Sequence, residues 1–483
     1  MPRRWCWPRS LGGSARIWRR AASRSRHPAS RPDANPQQEA HQQEREMKRS
    51  LQSMTAIVAA ISAIGWAGAA TAQTAVADPS APVEHEGTLR VMTKFGMQRL
   101  APYFVELAKA YEAQHPGVKI ELIQEDDDSV KGKTKTLVAS NSIPDVFFSW
   151  TGTWGGNFVR GKRAVDLTPV IGPDTDWGRT FAPAAVGAFV YEGKNYGIPL
   201  YLDAKFMGYN KTIFADLGIS EPATLEEMLE ACDTIREAGI TPISIGNKEP
   251  WVAVHYLGQL LAYNVPKEVL ERDFDPATAD YSDPGYVASL EQFKAIADRC
   301  TIGAGMNGIS YQTAIQELSD GKAAMYYQEI IEFDNAASAT TKLTPEEFGF
   351  FPLPAPKEAK GDPKALEGAP EGYMISSASE NVPLALDFMK FVTTQANAKV
   401  LSAPPYGQPS AVIGGADPAD MSPAVVGGLE DIAEASYLMQ WLDTVNHPRV
   451  AAAWLSNLQA FAGGTVSAEE VVAEVRKAAA SAK

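Results

Sequence analysis

From Gly87 onward, short apolar or alternating runs take turns with longer stretches of helical period. TLRVMTKF (88–95) reads as a strand. LAPYFVELAKAYEAQHPG (100–117) has the spacing of an amphipathic helix stopped by Pro116-Gly117. VKIELIQE (118–125) alternates as a strand should, and IPDVFFSW (143–150) is a short apolar run suited to a buried parallel strand. Later helices are predicted over 224–239, where Thr224 and Glu227 have capping-box spacing, and over 286–300, 382–403 and 467–482. Between them, residues 348–376 are rich in Pro and Gly and end in a short strand, which suits a connection better than a core element. Strand and helix alternate in this way in α/β proteins.

The amino end breaks this pattern. Residues 1–46 are rich in Arg, Pro, Ser and Gln without apolar period, and read as disordered or as an extension ahead of a start at Met47. Residues 47–72 then show Lys48-Arg49, an apolar run and the small residues Ala70-Thr71-Ala72, the order of a secretory signal peptide cut before Gln73. Ala75-Val76-Ala77 is a competing cut, and an uncleaved anchor is the alternative reading. Of the 44 Lys and Arg, 12 fall in residues 1–72, against 4 of the 58 Asp and Glu, so the rest of the chain carries a net charge near −22. That charge argues against nonspecific binding to nucleic acid or anionic membrane. Cys232 and Cys300 are the two cysteines after the leader; export permits a disulfide between them, and two separate buried thiols remain open.

Catalytic signatures are sparse. His85, His115, His255 and His447 stand at no metal-ligand spacing, and there is no HExxH, CxxC, GxSxG, Walker loop or GxGxxG, so neither metal nor cofactor is expected. The acidic run at 125–128 reads as a solvated strand-to-helix turn. Carboxylates are plentiful, so a pair for glycoside cleavage stays open. Aromatic residues at loop-like places stand out instead: Trp150 and Trp154 in FFSWTGTWGG, Trp251 in IGNKEPWVAVHY, and Trp441 in SYLMQWLDTVNHP. A sugar offers an apolar C–H face that a ring covers and hydroxyls that carboxylates and amides bind.

The segments FVELAKAYEAQHPGVKIEL, SIPDVFFSW, GKRAVDLTPV, YEGKNYGIPLYLDAKFMGYNKTIF, ISEPATLEEML and YQTAIQELSDGKAAMYYQ follow one another in an order that resembles the extracellular solute-binding proteins of ATP-driven sugar importers, the group that includes maltodextrin-binding proteins. The likeness runs from about Leu89 to Val475. It implies the class II-like, two-lobed periplasmic-binding-protein fold, with discontinuous α/β lobes joined by crossing strands near 202–205 and 372–375. Lobe 1 would hold 83–203 and 373–420, and lobe 2 would hold 204–372 and 421–483. The implied function is capture of a sugar or short oligosaccharide in the interlobe cleft for ABC permease membrane subunits, by an exported periplasmic monomer that is not an enzyme. A polyol ligand and a secreted carbohydrate-cleaving enzyme are the alternatives. By the same resemblance Trp150 falls at a stacking position, Asp203 at a hinge carboxylate that contacts sugar, and Glu249 with Trp251 at a Glu-Pro-aromatic unit gripping from the other lobe. After GKAAM the family usually has Gly and Trp; this chain has YYQEII, which puts Glu329 toward the ligand and favours short sugars over long maltodextrins. Tyr373 and Trp441 are further ligand candidates, and Tyr406 a weaker one.

Overall fold

The computed structural model describes residues 78–483, except for the side chain of Asp128. The expected leader at 47–72 and the segment ahead of it lie outside the described residues. The strands are β1 (Gly87–Thr93), β2 (Val118–Gln124), β3 (Val146–Trp150), β4 (Val190–Tyr191), β5 (Lys194–Asn195), β6 (Ile198–Asn210), β7 (Thr241–Ile243), β8 (Ala323–Glu329), β9 (Phe348–Phe351), β10 (Leu366–Ile375) and β11 (Leu438–Met439). Apart from the β4–β5 ribbon they form one sheet, ordered β2-β1-β3-β10-β6-β8-β7, with β9 added to β6 and β11 to β10.

Two long strands hold this sheet together. β6 and β10 lie side by side and antiparallel; β10 also pairs antiparallel with β3, and β6 pairs antiparallel with β8. One half therefore has the parallel trio β2-β1-β3, the other has the parallel pair β8-β7, and β6 and β10 pass between them. Every residue of β10 is buried. The stretch read as ending in a short strand thus supplies a ten-residue central one, because Gly368, Ala369, Pro370 and Gly372 look like loop in sequence yet fit a crowded sheet centre. At Gly372 an added Cβ would stand 2.1 Å from the Ile198 carbonyl oxygen, so only glycine allows this approach. The ladder to β6 shifts register between Glu371 and Gly372, an irregularity that re-aims the neighbouring side chain, here Glu371.

Most helices form where the periodicity places them. Ala101–Gln114 buries Tyr103, Phe104, Leu107, Ala108 and Tyr111 on one face. Leu225–Glu237 is capped by the Thr224 side chain accepting from Glu227 N–H, while the Glu227 carboxylate reaches back to Ala223 N–H. The helix expected over 382–403 is two, Val382–Val392 and Gln395–Ser402, because the Thr394 side chain caps a new start by accepting from Asn397 N–H. Cys232 and Cys300 are disulfide-bonded, joining helices Leu225–Glu237 and Gly285–Cys300. No helix among the described residues is long and apolar enough to cross a membrane.

Candidate functional site

The ends of β1, β3 and β8, the middle of β10 and the starts of two helices converge on one internal cavity. Lys94 follows the last residue of β1, and its buried ammonium lies 3.0 Å from Asp127 Oδ1 and 2.6 Å from Glu371 Oε2. Glu371 is the hub. It also accepts from Tyr201 Oη at 2.7 Å and from Trp441 Nε1 at 3.2 Å. Burial opposes the charge on Lys94, yet Asp127 and Glu371 outweigh it and hold the ammonium well above its usual range.

Three indole rings line this space. Trp150 ends β3 with its ring edge-on to Phe148 and Trp154, and the Lys131 ammonium sits 4.7 Å from its centroid. Trp251 opens helix Trp251–Asn264; its ring is half-buried, and the Lys205 ammonium lies 5.1 Å from its centroid. Trp441 is almost wholly buried and stacks on the His255 ring at 4.7 Å. Asp443, two residues on, ion-pairs with Lys131 and lies 3.5 Å from His255 Nε2. Burial would raise the Asp443 carboxyl, but Lys131 and His255 hold it well below the carboxylate range. Burial pushes the His255 imidazole down to about 4 despite Asp443, so it is neutral at pH 7.

Beneath this layer the cross-strand pair Lys205 and Glu329 faces across β6 and β8, with Nζ to Oε1 at 3.5 Å. Burial favours neutral Glu329, but Lys205 and Lys94 outweigh it and keep the carboxyl below its ordinary value. Burial, reinforced by the Glu329 charge, pushes its neighbours Asp203, Glu332 and Glu367 up, Glu332 to about 8. Burial raises Asp127 and Glu371 as well, although Lys94 beside them opposes the shift.

Of the residues singled out in sequence, Trp150, Trp251, Glu329 and Trp441 line the cavity. Asp203 lies behind it, fully buried in β6. Glu249 does not line it; its Oε2 accepts from Tyr311 N–H at 3.0 Å and so pins the turn before Trp251 to the helix Tyr311–Ser319. Tyr373 does not line it either, because its ring packs between Phe104 and Phe148 in the apolar interior. Tyr406 is half-buried against Tyr103, also away from the cavity. Asp145 holds its loop, accepting from Arg90 N–H and Ser379 Oγ. The acidic run at 125–128 is only partly a solvated turn: Asp126 caps helix Asp127–Ala139, and Asp127 turns inward to Lys94. Sequence reading missed Lys94, Asp127, Lys131, His255, Glu371 and Asp443.

The space is about 20 Å³, room for about one water, since roughly 10–15 Å³ suffices to hold one. Small-molecule pockets run to about 300–1,000 Å³.

The comparisons with known proteins agree with this architecture. The structure superposes on a chitin oligosaccharide binding protein with a TM-score of 0.75 at 22% identity, covering 83% of this chain and 99% of that one. It superposes on a sugar transporter of Bacillus licheniformis in complex with stachyose with a TM-score of 0.63 at 19% identity, covering 81% and 98%. At such identities the likeness shows the fold, an α/β two-lobed periplasmic-binding-protein fold. In sequence, a binding protein of Brucella abortus is 27% identical over 242 residues, 50% of this chain and 57% of the relative. The diacetylchitobiose binding protein DasA of Streptomyces coelicolor is 26% identical over 290 residues, 59% of this chain and 64% of the relative. The matched part therefore spans under two thirds of either relative's length. Residues 97–399, more than half of the chain, match the family described as bacterial extracellular solute-binding protein, and to that family this chain belongs.

Proposed function

We propose that this protein captures a sugar or short oligosaccharide in the cleft between its lobes and hands it to the membrane subunits of an ABC importer. One observation carries the reading: three tryptophan rings from separate segments meet carboxylates paired with lysines at the strands that join the lobes. Rings cover the apolar faces of a sugar, carboxylates accept from its hydroxyls, and lysines donate to its oxygens. The relatives named for sugars, DasA and the melibiose/raffinose/stachyose-binding protein MelE of Bacillus subtilis, support a carbohydrate.

With lobe 1 as 83–203 and 373–420 and lobe 2 as 204–372 and 421–483, the Lys131–Asp443 pair joins the lobes across the cleft. The described arrangement is then the closed one. On opening, Lys131 and Trp150 move together with lobe 1 and part from Asp443, which makes room for a sugar ring between the lobes. The protein works after export, in the periplasm, as a monomer, and its carboxylates bind rather than cleave. A polyol would use the same hydroxyl contacts.

A thermal-shift screen against mono- to tetrasaccharides and polyols, with product analysis of each mixture, tests this. The expected result is a rise in melting temperature with one sugar class and no product, because a ligand selective for the folded state stabilises it by mass action. No stabilisation by any carbohydrate, or turnover of one, overturns it.

A further inference from the structure

At the end of the β2-β1-β3 half opposite the cavity, beside the starts of β1 and β2, three residues remote in sequence come together. His85 lies in the segment leading into β1, His115 follows helix Ala101–Gln114, and Asp387 sits in helix Val382–Val392. One nitrogen or oxygen from each lies within 4.8 Å of the others. His85 Nε2 is 3.1 Å from Asp387 Oδ2, and the two imidazoles stack with centroids 3.8 Å apart and planes 5° apart. We propose that His85, His115 and Asp387 form a binding site for a divalent transition metal, zinc in particular.

The donor set argues for that ion class. Two imidazoles and one carboxylate form a borderline-soft site of the kind zinc takes, whereas calcium and magnesium want oxygen shells. The carboxylate is already oriented, because Tyr111 Oη donates to Asp387 Oδ2 at 2.7 Å, the outer-shell support that metal ligands commonly have. Tyr111 also packs against the His115 ring, with centroids 4.6 Å apart, so one side chain steadies two of the three donors. Among the described residues the His115 ring nitrogens have no hydrogen-bond partner, and the ring is placed by stacking alone. Tetrahedral zinc holds donors at about 2.0–2.2 Å, hence roughly 3.3–3.5 Å from one another. His85 and Asp387, about a third exposed at 37% and 33%, can rotate that far and leave a fourth position for water. Bound there, the ion would clasp the chain ahead of β1 to two helices of the same half. It would leave the sugar cleft untouched.

The test uses the exported protein without an affinity tag, stripped with a chelator. Zinc chloride titrated calorimetrically should bind at one equivalent and raise the melting temperature, while magnesium should do neither. Cobalt(II) should give the visible absorption of a low-coordinate site. His115→Ala, which removes no hydrogen bond, should lower zinc affinity at least tenfold with an unchanged melting temperature in chelator; His85→Ala and Asp387→Asn should weaken it likewise, and sugar-induced stabilisation should persist in all three. Absence of one-equivalent binding overturns the proposal. So does wild-type zinc affinity in folded His115→Ala and His85→Ala.

Discussion

Replacing Trp251 by alanine separates a ring that meets ligand from a ring that holds the fold. Trp251 is half-buried at the start of its helix, with His255 and Tyr311 on its sides and the Lys205 ammonium over its face. A buried aromatic covers about 150–250 Å², so a half-buried one leaves on the order of 50–100 Å² for a sugar face. At about 25 cal/mol per Å² that is roughly 1–2.5 kcal/mol. Each 1.4 kcal/mol is a factor of ten, so Trp251→Ala should weaken sugar binding about ten- to hundredfold. Its melting temperature without ligand should fall little. Trp441 provides the contrast: it is almost wholly buried, stacks on His255 and donates to Glu371. Trp441→Ala should cost about 3–5 kcal/mol of stability, the range for a large aromatic removed from a core. Calorimetric affinity and unliganded unfolding, measured on both variants, decide the matter. If Trp251→Ala kept full affinity but melted as early as Trp441→Ala, the ring would belong to the core and the placement of the sugar would fail.

Three further outcomes are expected. Glu332, buried, is raised from 4.5 to about 8 by burial and by Glu329, so the folded state holds more protons than the unfolded one across that window, and its stabilising contribution is lost as pH rises through about 8; Glu332→Gln should flatten the fall of melting temperature between pH 6 and pH 8, and an unchanged slope would rule out this origin. The Cys232–Cys300 bond spans 68 residues, so by chain entropy alone its removal should cost about 4 kcal/mol; denaturant unfolding of a Cys232→Ser/Cys300→Ser variant measures this. Scattering in solution should show an equilibrium between wider and narrower forms that sugar shifts to the narrower; an identical radius of gyration with and without saturating sugar would remove the hinge.

The sequence carried the fold well where side-chain period reports burial, as in β1, helix Ala101–Gln114, β2 and β3. It failed at β10, whose Gly and Pro residues answer to close packing of backbones rather than to solvent, a distinction that hydropathy does not encode. The site divides in the same way. Tryptophans beside glycines could be picked out one by one, and Trp150, Trp251 and Trp441 do line the cavity. The charged partners could not, because Lys94 with Glu371, and Lys131 with Asp443, become neighbours only through the sheet order. Tyr373 shows the converse: its place on a crossing strand was legible, but strand position alone does not say which face a side chain takes, and Tyr373 turns to the apolar interior.

The insertion of β10 between β3 and β6 has a consequence for how the chain is made. Trp150 meets Glu371, and Ala204 meets Gly368, so neither half of the sheet gains its inner neighbour until the ribosome has passed Ile375. Contacts of such sequence separation form slowly, since the intervening loop must first be closed. A nascent chain therefore lacks its central strand for most of its synthesis. A chain truncated before Leu366 should remain protease-sensitive, and the full chain should gain resistance only once β10 is supplied.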